Sequence, residues 1–184
     1  MRTPCIVHNL NLILEEIDNK VPWIKELTRE AKEIVKFITN HHQCQAIFRE
    51  YSKLELLKVA ETRYASNFIM LRRLVVKQVL VSMVVSQVWA EWRQADSERG
   101  YMVHRLCLDE DWWSKIDFLL MFTTPAFELL QNADTDQPFL GEVYDGMDFM
   151  VEKTMEIISQ ESPHLLFVDD NFAELIKKII VDYC

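Results

Sequence analysis

The side chains of this chain best suited to chemistry are its histidines, cysteines, carboxylates and one run of cations. Cys5 and His8 stand one helical turn apart, and His41, His42 and Cys44 form a second group. Thiolate and imidazole are zinc ligands. Structural zinc sites bring their cysteines in close pairs such as Cys-x-x-Cys, whereas Cys5, Cys44, Cys107 and Cys184 are scattered. Buried thiols and helix-surface histidines account for them better, so neither a metal nor a cofactor is expected. The acids Glu15, Glu16 and Asp18 follow Cys5 on a short helix, and Asp134 and Asp136 read as turn residues. Both groups read as solvated acids rather than as carboxylates gathered around divalent ions. There is no glycine-rich phosphate loop and no readable Ser-His-Asp or Cys-His set. The expectation is a protein that is not an enzyme.

The cations do cluster. Residues 49–77 hold seven (Arg49, Lys53, Lys58, Arg63, Arg72, Arg73 and Lys77) against Glu50, Glu55 and Glu61, a net of +4. Residues 109–184 hold four lysines against seventeen acids, a net of −13, and the other segments balance, which leaves the chain at −9. A phosphate backbone is drawn to the first region and repelled by the last. Any nucleic-acid binding is therefore expected to be weak, indifferent to sequence and lost with salt, and to run through 49–77. The acidic stretch after Asp109 favours a basic protein partner.

Helices must position these groups. With 184 residues, 49% hydrophobic and 27% charged, the chain is globular and long enough to bury a core. Three glycines and five prolines provide little punctuation. Apolar residues recur at helical spacing: Ile24, Leu27, Ala31, Ile34, Val35 and Ile38 behind Pro22; Phe68, Leu71, Leu74 and Val75; Ile116, Leu119, Leu120, Phe127 and Leu130, with Pro125 expected to kink or split the helix. Leu140, Val143, Tyr144, Met147, Val151 and Ile158 make another face. The last and clearest is Phe172, Leu175, Ile176, Ile179, Ile180 and Tyr183, capped by Asp169 or Asp170. Val79–Val85 is β-branched but reads as a continuation of the helix before it. Loops are expected near 19–20, 55–61, 96–100, 133–138 and 161–164. Adjacent Trp112 and Trp113 should not both face one core. The reading is all-α: a single domain over 1–184, an irregular bundle of about seven to nine helices. No apolar run reaches the ~18 residues that span a bilayer, and no signal peptide opens the chain, so an intracellular address without membrane contact is expected.

Five motifs in order resemble the middle of a hAT-superfamily transposase of the plant type. They are Cys5-x-x-His8 before an apolar helix; Val21-Pro22-Trp23-Ile24-Lys25; Ile34 to His41; Thr62-Arg63-Tyr64-Ala65-Ser66-Asn67; and Asp111-Trp112-Trp113-Ser114-Lys115 with Thr124-Pro125. The likeness covers nearly the whole chain. Tyr64 stands where the family most often has Trp, and the end, Ile180-Val181-Asp182-Tyr183-Cys184, departs from the family's continuation to a Trp.

The resemblance implies a helical insertion domain, with 1–20 a remnant of the end of the RNase H-like segment. The family's zinc finger, catalytic carboxylates and dimerisation region would lie outside the chain. It places His8 by DNA phosphate, and Arg63 and Tyr64 beside a flipped base, the aromatic stacking on it. The alternatives are a packed first helix turn for His8, and for Arg63 and Tyr64 a pairing with Glu61 and packing in the bundle. The resemblance also sets the first and last helices next to a missing sheet. The stripe Phe172, Leu175, Ile176, Ile179, Ile180 and Tyr183 is then expected to seat a protein partner or a second copy. The implied protein is a non-catalytic, transposase-derived interaction module in the nucleus or nucleo-cytoplasm, regulating transcription, signalling or defence. The alternatives are a residual weak nucleic-acid binder using His8, Arg63, Tyr64, Arg72, Arg73 and Lys77, and a decayed fragment without a selected role.

Overall fold

The computed structural model describes residues 6–53, 56, 65–133 and 143–183. Among the described residues there are ten α-helices, one 3-10 turn and no strand. They are α1 (Ile6–Lys20), α2 (Pro22–Asn40), α3 (His42–Tyr51), α4 (Ala65–Leu74), α5 (Lys77–Val84), α6 (Gln87–Glu91), α7 (Glu98–Leu108), α8 (Glu110–Ala133), α9 (Val143–Glu161) and α10 (Phe172–Tyr183), with the 3-10 turn at Ser162–His164. The all-α expectation holds. No described helix is long and apolar enough to cross a membrane.

The sequence reading carries one helix from about Thr62 to Val85, and the structure breaks it. α4 stops at Leu74, and Val76 (φ −112°, ψ 44°) leaves the helical region, its N–H donating to the Leu74 carbonyl. Val75 and Val76 at the break are both β-branched, which lowers helix propensity slightly. A second break follows at Ser86, whose Oγ accepts from the Trp89 N–H at 3.1 Å and starts α6. Pro125 does the opposite of what its type predicts, since α8 continues through it as one helix. Thr123 and Thr124 turn their hydroxyls back onto the Leu119 and Leu120 carbonyls, giving this stretch of helix side-chain donors as well as backbone ones.

Where length predicts one domain, contacts within the chain sort into two compact units: Met1–Lys25, Thr62–Ala65 and Phe118–Cys184 in one, Glu26–Glu61 and Ser66–Asp117 in the other. In the first unit α10 packs on α1 and on α9. Leu10, Ile13, Leu14 and Ile17 of α1 are buried, as are Phe172, Ile176, Ile179 and Ile180 of α10. Both sets follow the three-and-four spacing of one helical face. Asn9 Nδ2 donates to the Tyr183 carbonyl at 2.9 Å, satisfying one of the open acceptors at the end of α10. Asp169, not Asp170, makes the turn into α10, its Oδ1 accepting from the Asn171 N–H at 3.1 Å. A ring cluster of Trp23, Phe118, Phe122, Phe167 and Phe172 completes this unit's core, with centroids 5.1 to 6.2 Å apart.

In the second unit α5 packs on α3 and α7, and α6 on α3 and α5. Phe37, His41, Trp89 and Trp92 form its aromatic cluster. Adjacent Trp112 and Trp113, expected not to share one core, are both buried. Their rings meet edge to face, 4.9 Å apart at 82°. Each indole finds its own acceptor: Trp112 Nε1 donates to Glu30 at 2.9 Å, and Trp113 Nε1 to the Cys107 carbonyl at 2.9 Å. Two neighbouring tryptophans can therefore both be interior when α8 starts among partners on more than one side.

Candidate interaction surfaces

The basic segment resolves into a short exposed face. On α4 the outward positions are Ile69, Arg72 and Arg73, at the three-and-four spacing of one side, and exposed Val75 follows directly. Phe68, Met70, Leu71 and Leu74 point inward and fix that orientation. Arg72 and Arg73 occupy the last turn, where cations complement the negative end of the helix dipole. Lys77 begins α5 and forms an ion pair with Glu110 of α8. It also lies near Asp117, whose carboxyl burial pushes above the usual range while Lys77 draws it down. Arg72, Arg73 and Lys77 thus lie close in sequence at the junction of α4 and α5, and Lys77 is paired with Glu110.

His8 belongs to the other unit, exposed on α1. Cys5, Arg63 and Tyr64 lie outside the described residues. The His41, His42 and Cys44 side chains take separate environments: His41 Nδ1 lies 2.7 Å from the Phe37 carbonyl, His42 is exposed and Cys44 is buried. Burial pushes the Cys44 and Cys107 thiols up to about 12, and each thiol's closeness to the other adds to the shift at Cys107. Among the described residues no three His, Cys, Asp or Glu side chains converge on a metal position.

The expected partner stripe on the last helix is corrected. Phe172, Ile176, Ile179 and Ile180 are interior, and Leu175 and Tyr183 are half-buried. Their neighbours are α1 and α9 of the same unit, so most of the apolar face that reads as open is already covered from within. Of that helix's large apolar residues only Val181 is exposed.

A groove that the sequence reading missed lies in the first unit. Pro125, Glu128, Leu129 and Asn132 of α8, at helical spacing, form one wall; Asp145, Gly146 and Phe149 of α9 form the other. Its volume is about 550 Å³, within the range of small-ligand clefts. Phe149 is 56% exposed. Glu128 and Asp145 are exposed carboxylates, and Leu129 and Pro125 give the wall an aliphatic part. The α8 and α9 positions are separated in sequence by residues 134–142, so only the fold brings them to one cleft.

Charge divides with the units. Residues of the first unit number sixteen acids against seven cations; those of the second, thirteen against thirteen. The whole net charge of −9 therefore sits on the first unit.

Compared with family models, with curated proteins and with solved structures, the chain gives no match. The hAT resemblance rests on the motifs of its own sequence.

Proposed function

We propose that this chain is a non-catalytic interaction module, derived from a hAT-type transposase, that engages a basic protein partner through its acidic unit. The observation that carries this reading is the charge division: one unit holds all nine net negative charges and the other is balanced. Such a field steers cationic partners toward the first unit and phosphate away from it. The module would act in the nucleus or nucleo-cytoplasm, where basic proteins are abundant.

The exposed Arg72 and Arg73 favour a second reading, weak nucleic-acid binding through α4. Ile69 and Val75 beside them weigh against a surface built for phosphate alone. One sample tests both. The protein is titrated with a lysine-rich peptide and with a duplex oligonucleotide across a range of salt. The proposal expects peptide binding to exceed oligonucleotide retention at every matched salt, with both falling as salt rises. Retention of duplex above peptide at every salt would replace it with the second reading.

A further inference from the structure

We infer that the groove between α8 and α9 is a docking site for a lysine or arginine side chain presented by a basic peptide segment of a partner protein. The inference rests on the proposed function and gives it an address.

Three properties of the groove fit that occupant. Glu128 lines the groove from α8 and Asp145 from α9, so a cation entering it has a carboxylate available on each helix. Neither carboxylate is held by a described side chain, whereas the nearest lysine along α9, Lys153, is engaged by Glu156 at 2.6 Å. No other cation occurs between Phe118 and His164, so the groove has no internal competitor in that stretch of sequence. Phe149 offers an aromatic face at the rim, which attracts an ammonium or guanidinium through the ring quadrupole. Pro125, with the largely buried Leu129 beside it, gives aliphatic surface for the methylene stem of a long cationic side chain. Gly146 contributes no side chain to fill the space.

The charge around the site selects the same class. Asp148 and Glu152 are exposed on α9 beyond Asp145, and Glu156 and Glu161 follow toward its end. A peptide with several cations gains from this row while one of them enters the groove. An anionic or neutral ligand would be repelled or would leave both carboxylates without a counter-charge.

The test uses the full chain and a short fluorescein-labelled lysine-rich peptide read by anisotropy, beside the same peptide with its lysines acetylated. Three variants accompany the wild type: Glu128→Gln with Asp145→Asn, Phe149→Ala, and Glu174→Gln with Asp182→Asn as an equal charge change on α10, outside the groove. The groove pair is expected to weaken binding by roughly tenfold, and Phe149→Ala by about threefold, the sizes expected of a charge clamp and one cation–aromatic contact. The α10 pair should change it by less than about twofold. Acetylated peptide should lose binding to the wild type. Equal losses from the groove pair and the α10 pair would overturn the groove while leaving a basic partner in place. No binding of either peptide at low salt would overturn the function proposed above along with it. Far-UV circular dichroism of each variant separates lost binding from lost fold.

Discussion

Ile176→Ala separates a core helix from a docking helix, because the two readings of α10 expect opposite results. Ile176 is fully buried on α10, in the row that meets α1 and α9. The substitution removes three carbons, at about 0.8 kcal/mol each, so the transfer loss alone is about 2.4 kcal/mol. The space left behind adds a cavity contribution, and isoleucine-to-alanine changes in cores span ~2–5 kcal/mol in total. Val181→Ala, one turn on and 58% exposed, should stay within ~0.5 kcal/mol of wild type. The assay is urea denaturation followed by far-UV circular dichroism, with the molar mass of each protein measured by light scattering. The expected outcome is a clear loss of stability in Ile176→Ala with no change in molar mass. The reasoning fails if Ile176→Ala keeps wild-type stability and instead dissociates an oligomer, because the stripe would then be an interface and not a core.

The remaining expectations are simpler to state. Gly100→Ala should destabilise although alanine is the better helix former: a Cβ there would stand 2.4 Å from the Gln94 carbonyl oxygen and 2.6 Å from that of Ala95, so backbone must move, a strain of ~1–3 kcal/mol against a propensity gain of about 1. In a Cys5→Ser, Cys184→Ser background, iodoacetamide at mildly alkaline pH should leave Cys44 and Cys107 unmodified in the folded protein and alkylate both in urea, since burial holds the thiols near 12; rapid native labelling would contradict their burial. Glu30→Gln should stabilise at neutral pH. Burial raises the Glu30 carboxyl above its ordinary value, with Trp112 Nε1–H pulling partly back, so the folded state takes up a proton more readily than the unfolded state. Wild-type stability from this group is therefore present below the ordinary carboxylate value and lost as pH rises through the raised one. The mutant's advantage should vanish on acidification, and an advantage that grew at low pH would reverse the sign of the argument. Arg72→Glu with Arg73→Glu should abolish whatever weak duplex retention exists and leave peptide binding unchanged; loss of both together would show that one surface serves both ligands.

Much of the fold is written in the residue pattern. Pro22 opening α2 and the stripe from Ile24 to Ile38 were legible, because each depends on neighbours within a turn or two; the start of α10 was legible as Asp169 or Asp170, and the structure places the side-chain bond at Asp169. Three features were not. At Val75 and Val76 a helix breaks although its apolar stripe runs on, since periodicity reports which face is buried and not whether the backbone is continuous. Pro125 sits inside α8 beside two threonines whose hydroxyls reach back to the preceding carbonyls, an arrangement of side-chain rotamers. Most consequential, the α10 stripe reads equally as a core face or a docking face. Sequence shows that Phe172, Ile176, Ile179 and Ile180 must be covered, and only the tertiary arrangement shows that α1 and α9 help to cover them.

The same reasoning explains why the functional surface moved. Apolar stripes are the strongest sequence signal, so they attract functional readings, yet burial consumes them first. What remains outside is decided by charge and by clefts between helices. Arg72 and Arg73 were visible as a basic pair, but their place in the last turn of α4 gives them a structural role in complementing the helix end. The acids after Asp109 were visible as a block, but a block has no shape. The fold sorts them so that one unit keeps the entire net charge while the other is neutral, and it brings Glu128 and Asp145 to one groove lined also by an exposed phenylalanine. A uniformly acidic surface would attract any polycation in proportion to its charge. A cleft with two carboxylates and one aromatic can distinguish a free ammonium from an acetylated one at a single position. The case for a specific partner therefore turns on Glu128, Asp145 and Phe149 and not on the size of the negative charge.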